Sequence, residues 1–573
     1  LTGLRSSCQP ADLGVSPQCN EAVVWIEGRD ERVMSELKIA LWQMNAKVGG
    51  FEGNAAKIRA AARRAEQMGA SLLLTPEMSL VGYPAEDWIL RDDFCEKSRK
   101  ALTQLAASMK DTIPVLVGTV WKEENGARRN ALALLRGGCV EALYYKQHLP
   151  EYGVFDEPRV FASGNRPAVI EIERIRLGLT ICEDLWHPDV MAQACAAGAQ
   201  VILSANASPF EEGKSEERER TILPFVKRNH IPLVYVNAVG GQDELVFDGA
   251  GFATDAEGTV FLRQPSFTED LQIVSVQALM KPHISVPLKE DEELRLTSMY
   301  GALKLALSDY VHKNGFKQVV IGLSGGIDSA LVATVAADAL GADNVLAVMM
   351  PTRFTADLSF DLATQLVKNL RIPYVVRPIE ELFKGYQALL TDDFAGKAWD
   401  VTEENLQARI RGTVLMAYAN KFSRLVITTG NKSETAVGYS TLYGDTAGAF
   451  ALIKDVYKTD VWALARFINR YRGREVIPEA LINRPPSAEL REGQLDEASL
   501  PKYAVLDAFL KAYVDGRQSL EDAADKAQCD RATAERIVRL VHRNEYKRRQ
   551  SPTGPKLSGT AFGRDWRYPM TAK

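Results

Sequence analysis

The stretch Gly322-Leu323-Ser324-Gly325-Gly326-Ile327-Asp328-Ser329 decides how this chain is read. It follows an apolar run, Val319-Val320-Ile321, and precedes Ala330-Leu331-Val332-Ala333, so the pattern predicts strand, glycine-rich turn and helix in succession. That succession aims backbone N–H groups and a helix N-terminus at one point, where an anion is stabilised. The glycines let the main chain approach phosphate oxygens with no Cβ in between. Ser324 and Ser329 add hydroxyl donors, and Asp328 adds a carboxylate able to hold a magnesium ion. No lysine follows the second glycine, so this is not the GxxxxGK[ST] phosphate loop.

Outward from this loop, a helix is expected over 293–313 and strands over 345–350, 374–376 and 425–429, with mostly helical structure over 502–549. This order predicts a doubly wound parallel sheet with its ligand at the carboxyl ends of the strands. Residues 37–277 alternate short β-rich segments (72–74, 115–117, 132–135, 177–181, 201–203, 233–236) with alanine-rich helical ones (55–68, 190–197). Later β segments at 249–253 and 260–262 are separated only by turns, and the whole reads as α/β with two sheets covered by helices. Pro282, Pro287 and the charge run 289–292 mark a linker over 281–292, dividing a first domain, 34–280, from a second, 293–573. Residues 1–33 are turn-rich and lack periodicity; they are expected to form a disordered, dispensable extension, with Met34 as the functional start.

A chain of 573 residues is too long for one core. Its net charge of −5 gives no reason to expect a nucleic-acid surface. No apolar run approaches the roughly 20 residues of a membrane helix. Seven cysteines in irregular positions make neither a disulfide framework nor a CxxC metal site, so a reducing, cytoplasmic location is expected.

A second constellation lies in the first half. Cys182 directly follows the predicted strand 177–181; a buried, inert thiol is its ordinary reading. Glu77 and Lys146, however, also stand where apolar segments end, an expensive arrangement unless the charges share a cavity and compensate one another. These segments resemble the nitrilase (carbon–nitrogen hydrolase) superfamily. The resemblance implies an α-β-β-α sandwich with Glu77 as general base, Lys146 as the cation beside the reacting carbonyl and Cys182 as nucleophile. A thiol is only slightly ionised near neutrality and needs such activation.

The loop Leu149-Pro150-Glu151-Tyr152-Gly153-Val154-Phe155-Asp156-Glu157 is similar to that of glutamine-cleaving members, with Glu151 as a second orienting carboxylate. Tyr152, Ser208 and Lys214 resemble positions that hold the amino-acid end of glutamine; Lys214 reads equally as a solvated residue of the run 211–220. His148 and His187 each lie beside a loop proline and are read as structural, and Cys95, Cys139, Cys195 and Cys529 as ordinary thiols.

The octapeptide resembles the SGGxDS pyrophosphate loop of N-type ATP pyrophosphatases, and Thr428-Thr429-Gly430-Asn431-Lys432-Ser433-Glu434 closely matches a nucleotide segment of NAD synthetases. The implied fold is Rossmann-like, of the adenine nucleotide alpha hydrolase type. By this resemblance Gly322, Leu323, Ser324, Gly325, Gly326, Ile327, Asp328, Ser329, Thr429 and Lys458 contact ATP, and Asp328 and Glu434 share Mg2+. Asn405, Arg409, Glu434 and Lys547 would receive deamido-NAD. Leu442 and Ala449 replace a lysine and an aspartate of the short, ammonia-using synthetases.

Joined in this order, the motifs are similar to the family of glutamine-dependent NAD(+) synthetases. The substrates so implied are L-glutamine, ATP and deamido-NAD, in a homo-oligomer with an enclosed ammonia route. Another ATP-pyrophosphatase glutamine amidotransferase is the nearest alternative, but those carry cysteine–histidine or N-terminal-cysteine glutaminases. A tRNA-thiolating enzyme, a stand-alone nitrilase and a catalytically silent nucleotide-binding scaffold complete the alternatives.

Overall fold

The structure, a computed structural model, describes residues 37–288, 291–494 and 500–571; the extension read over 1–33 lies outside the described residues. In the first half two six-stranded sheets face one another. One runs Asp270–Ser275, Lys38–Gln43, Leu72–Leu74, Val115–Lys122, Arg128–Arg136, Cys139–Tyr145; the other runs Val260–Arg263, Phe252–Thr254, Leu233–Asn237, Val201–Asn206, Ile175–Ile181, Val169–Ile172. The strand Lys38–Gln43 shows why its sequence is continuously apolar. Ile39 and Leu41 point into the core between the sheets, while Ala40 and Trp42 point into a second core. That outer core is covered by helices Phe51–Gln67 and Asp92–Ser108. A strand buried on both faces loses the alternation of a half-exposed one. Helices Pro188–Ala196 and Lys214–Asn229 cover the other sheet in the same way, completing the α-β-β-α layers.

The second half is a five-stranded, wholly parallel sheet in the order Tyr374–Val376, Val345–Met349, Val319–Gly322, Leu425–Thr428, Phe450–Ala451. The chain direction across the sheet reverses between Val319–Gly322 and Leu425–Thr428. A crevice opens at such a switch point, and both nucleotide motifs begin there. Helices Glu292–Lys313, Ile327–Leu340, Asp357–Leu370 and Lys458–Tyr471 pack on one face, and Glu380–Leu389 with Val401–Phe422 on the other. Helix Tyr503–Leu510, a wider turn over Lys511–Asp515 and helices to Arg548 form a separate apolar cluster beneath the second nucleotide segment. Among the described residues no helix is long and apolar enough to cross a membrane.

The halves are joined by more than the chain. Phe210 and Val246 of the first half lie in the same apolar cluster as Leu303 and Val319 of the second. Asp309 accepts from Gly241 N (2.7 Å) and Asn45 Nδ2 (2.8 Å), and Lys313 Nζ donates to Gly241 O (2.7 Å). A strap near the C-terminus stitches both halves. Leu557 O accepts from Glu212 N (2.9 Å), Lys556 Nζ pairs with Glu211 (3.2 Å), and Leu557 N and Ser558 N donate to Asp455 (2.7 and 2.8 Å).

Candidate active site

Strands Leu72–Leu74, Cys139–Tyr145 and Ile175–Ile181 each deliver one reactive side chain just past their last residue: Glu77, Lys146 and Cys182. Lys146 Nζ donates to Glu77 Oε1 (2.8 Å) and to Glu157 Oε1 (2.9 Å), with all three side chains buried. Glu77 also accepts from Asn130 Nδ2 (2.6 Å) and Ala207 N (2.9 Å), and Glu157 from the Tyr83 hydroxyl (2.9 Å). Burial alone would lower Lys146, but Glu157 and Glu77 outweigh it and hold the ammonium charged. Burial pushes the Glu157 carboxyl up to about 7 against the pull of Lys146.

Cys182 is buried, and burial, followed by the Glu77 carboxylate, raises its thiol well above the ordinary range. The resting sulfur is therefore protonated and needs a base at the moment of attack. Its backbone sits in the left-handed region (φ 45°), a strained setting for a residue with a Cβ. Buried Asp184 holds that turn: Oδ2 accepts from Ile181 N (2.9 Å) and the Tyr144 hydroxyl (2.7 Å), while Oδ1 accepts from Gln147 N (3.0 Å) and His148 N (2.9 Å). One carboxylate thus ties the cysteine turn to the end of the lysine strand.

The second carboxylate is a correction to the sequence reading. Glu151 is exposed, and Glu157, at the start of the short turn Glu157–Arg159, reaches Lys146 instead. Both glutamates lie in one loop, and a loop has no period to tell inward from outward.

Tyr152 is half-exposed and donates to Glu183 Oε2 (2.9 Å). Ser208 is buried; its Oγ accepts from Arg218 Nε (3.0 Å), and Arg218 is paired with Asp248 (2.9 Å). Lys214 is partly buried rather than freely solvated, with Nζ 4.4 Å from the Trp186 ring centroid and 2.9 Å from Glu217 Oε2. His148 and His187 stack on each other with ring centroids 3.9 Å apart. Sequence reasoning missed Asn130, Arg218 and Asp248, whose signals are single polar residues in apolar strands or on a charged helix.

In the second half Gly322 to Ser329 line a cleft of about 310 Å³ together with Thr429, Glu434 and Lys458. Gly325 has φ 82°, and a Cβ there would stand 2.3 Å from Ser359 O. Ser324 Oγ accepts from Gly326 N (3.2 Å), and the Ser324 and Ser329 hydroxyls are 3.1 Å apart, so the loop is braced internally. Gly325→Ala is expected to raise the KM for ATP at least about tenfold, since either the loop or Ser359 must move; ATP titration of AMP formation checks this.

Asp328 accepts from Asn431 Nδ2 (2.9 Å) and pairs with Lys458, which also lies 3.5 Å from Glu434. Asn431 caps helix Lys432–Val437 through Glu434 N (3.0 Å), fixing Glu434 at the cleft. Lys432, by contrast, is buried among Asp455 and Asp515 and braces the strap.

The residues read as dinucleotide contacts meet around one loop. Asn405 accepts from the Thr441 hydroxyl (2.7 Å), Arg409 Nε donates to Leu442 O (3.2 Å), and Lys547 Nζ donates to Gly438 O and Ser440 O (2.7 Å each). A smaller cleft adjoining the first is lined by Glu434, Asp445, Lys454 and Lys547. Asp445 and Lys454 were not singled out as contacts; burial pushes Asp445 up to about 6 and Lys454 down to about 8.

The carbon–nitrogen hydrolase family matches residues 38–282, and the NAD synthase family residues 299–551. Glutamine-dependent NAD(+) synthetases of Acinetobacter baylyi and Thermotoga maritima are each 43% identical to the chain over 94% of it, and over 98% and 99% of their own lengths. The solved glutamine-dependent NAD+ synthetase of Acinetobacter baumannii, in complex with adenosine diphosphate, is 40% identical with a TM-score of 0.75, covering 94% of this chain and 98% of its own. That of Cytophaga hutchinsonii, at 22% identity and a TM-score of 0.81 over the same shares, has the same fold. The chain belongs to the family of glutamine-dependent NAD(+) synthetases, a nitrilase-type glutaminase half fused to an NAD synthetase half.

Proposed function

We propose that the two sites handle one nitrogen atom in turn, converting deamido-NAD to NAD with glutamine and ATP. The observation that carries this reading is the buried Glu77–Lys146–Glu157 cluster beside Cys182, in one chain with the braced anion loop at the sheet's switch point. Glu77 takes the thiol proton as sulfur attacks the side-chain carboxamide of glutamine, and Lys146 stabilises the oxyanion. The proton passes to the leaving nitrogen, releasing ammonia and a Cys182 thioester, which water cleaves to glutamate. Lys214 supplies positive charge for the substrate α-carboxylate and Glu183 negative charge for its α-ammonium.

In the second half ATP transfers AMP to the carboxylate of deamido-NAD, releasing pyrophosphate. A carboxylate is a poor electrophile, and AMP is a far better leaving group than hydroxide. Ammonia then displaces AMP to form the amide. The oxygen donors Asp328 and Glu434 suit Mg2+, and their convergence on the Lys458 ammonium marks a spot that attracts cationic charge. Among the described residues no cluster of three or more candidate ligands exists, so phosphate oxygens and water would complete the shell. Bound there, the ion neutralises phosphate charge.

AMP formation from ATP, deamido-NAD and glutamine tests the whole reading, with a purine-nucleotide acceptor and aspartate as controls; AMP appearing only with the controls overturns it. The Glu157 ionisation yields a pH prediction. Below about pH 7 Glu157 is protonated and Lys146 keeps Glu77 as its only ionised partner in this cluster, so the ammonium that stabilises the oxyanion is held less firmly in place. Glutaminase activity should therefore be present above that pH and fall as pH drops through it. Glu157→Gln, locked in the low-pH form, should be about tenfold slower on the alkaline side and lack that ionisation; a pH–rate profile of glutamate release measures both.

A further inference from the structure

The mechanism above gives no part to Arg218, a charged side chain close enough to the thiol site to feel the Cys182 sulfur. Helix Lys214–Asn229 carries Lys214 and Arg218 one turn apart, so both leave the same face. Lys214 lies over the Trp186 ring, whereas Arg218 turns inward and is buried. Its Nε donates to Ser208 Oγ (3.0 Å), Nη2 to Ser208 O (2.9 Å) and Pro209 O (3.1 Å), and Nη1 to Asp248 Oδ2 (2.9 Å). Asn237 closes the network: Oδ1 accepts from Ser208 N (2.9 Å), and Nδ2 donates to Ser208 O (3.0 Å) and Asp248 Oδ1 (3.1 Å). One residue earlier Ala207 N donates to Glu77 Oε2 (2.9 Å), which places this segment beside the triad. A guanidinium taken out of water is a costly brace for one serine, and its ion pair with Asp248 offsets the charge without explaining why a cation stands there.

We propose that Arg218 is a positioning residue for glutamine, which by donating to Ser208 Oγ leaves the serine's own proton as the donor that meets the substrate α-carboxylate. This rests on the reading of Lys214 given above and on the resemblance at Ser208. The direction follows from the inventory of donors. Arginine has no acceptor, so at the 3.0 Å contact Ser208 Oγ can only accept, and its O–H must point elsewhere. Among the described residues no carbonyl or carboxylate takes that proton, and the nearby Tyr235 hydroxyl is buried with no hydrogen bond of ordinary geometry. Asn237 and Arg218 fix the serine N and O, so the hydroxyl keeps freedom only about its own bonds, and the charge-assisted contact from Nε removes it. Asp248 spends the guanidinium's charge, so what reaches the substrate is direction rather than field. Lys214 supplies the charge from one helical turn away, and together they select an amino acid over a simple amide.

The test uses the full-length enzyme and a double-mutant cycle in glutaminase kinetics. Arg218→Lys keeps a cation for Asp248 but loses the planar fork that reaches Ser208. It should raise the glutamine KM about tenfold, the scale of one hydrogen bond to a charged group, while kcat stays within about twofold. Ser208→Ala should raise KM by a similar factor. Adding Arg218→Lys to it should then change KM by less than about twofold, since the arginine acts through that hydroxyl. A KM left unchanged by Arg218→Lys overturns the inference. So does an equal further rise in the Ser208→Ala background, which makes Arg218 a packing residue. If the lysine variant does not fold, Arg218→Met with Asp248→Asn removes the ion pair as a unit and strands no charge, and the same cycle is run with it. Synthesis from ammonium salts reports that each variant is folded. If Ser208→Ala alone leaves KM unchanged, the reading of Ser208 falls first and takes the inference with it.

Discussion

Cys182→Ala is expected to abolish glutamine-supported NAD formation, by about a thousandfold or more, and to leave synthesis from ammonium salts near its original rate. The sulfur is the only atom in its cluster able to form a thioester. Glu77 and Lys146 remain in place after the substitution because they are held by each other, Asn130, Ala207 and Glu157 rather than by the thiol. The packing cost is small, since one sulfur is lost from a large apolar cluster. The nucleotide loop takes no contact from Cys182, so chemistry there continues when nitrogen is supplied from solution. Parallel assays with glutamine and with ammonium measure the split; loss of both activities in a folded protein would contradict the two-site scheme.

Asp328→Ala is expected to remove synthesis from either nitrogen source by about a thousandfold while basal glutamine hydrolysis survives. Asp328 stands at the start of helix Ile327–Leu340, between Asn431 and Lys458, at the point where phosphate charge must be neutralised. Its removal takes away the carboxylate proposed above to hold the cation and breaks the contacts to Lys458 and Asn431, so positioning and charge compensation are expected to fail together. Glutamate release and AMP release, followed in one sample, separate the effects. Unchanged AMP formation would rule out the role of Asp328.

Much of the site was legible because each motif sits at the end of a strand. An apolar run closely followed by Glu77, Lys146 or Cys182 signals a reactive side chain at the carboxyl end of a strand. The octapeptide carried the second half for the same reason. What could not be read were the partners brought in from elsewhere. Asn130 lies within a strand and Glu157 in an aperiodic loop, and only folding shows that both turn toward Glu77 and Lys146. Lys432, two residues before Glu434, turns away from the cleft and is spent on Asp455 and Asp515. The dinucleotide end was the hardest, since Asn405, Arg409, Asp445 and Lys547 meet only through the loop between Gly438 and Thr446.

The strap at Lys556–Ser558 bears on how the protein is born. The glutaminase half leaves the ribosome first, and domains tend to form in that order. Yet Glu211 and Glu212, just ahead of Lys214, are tethered to Lys556 and Leu557, residues translated long after them. A nascent chain therefore holds that segment unfastened until the second half has been made.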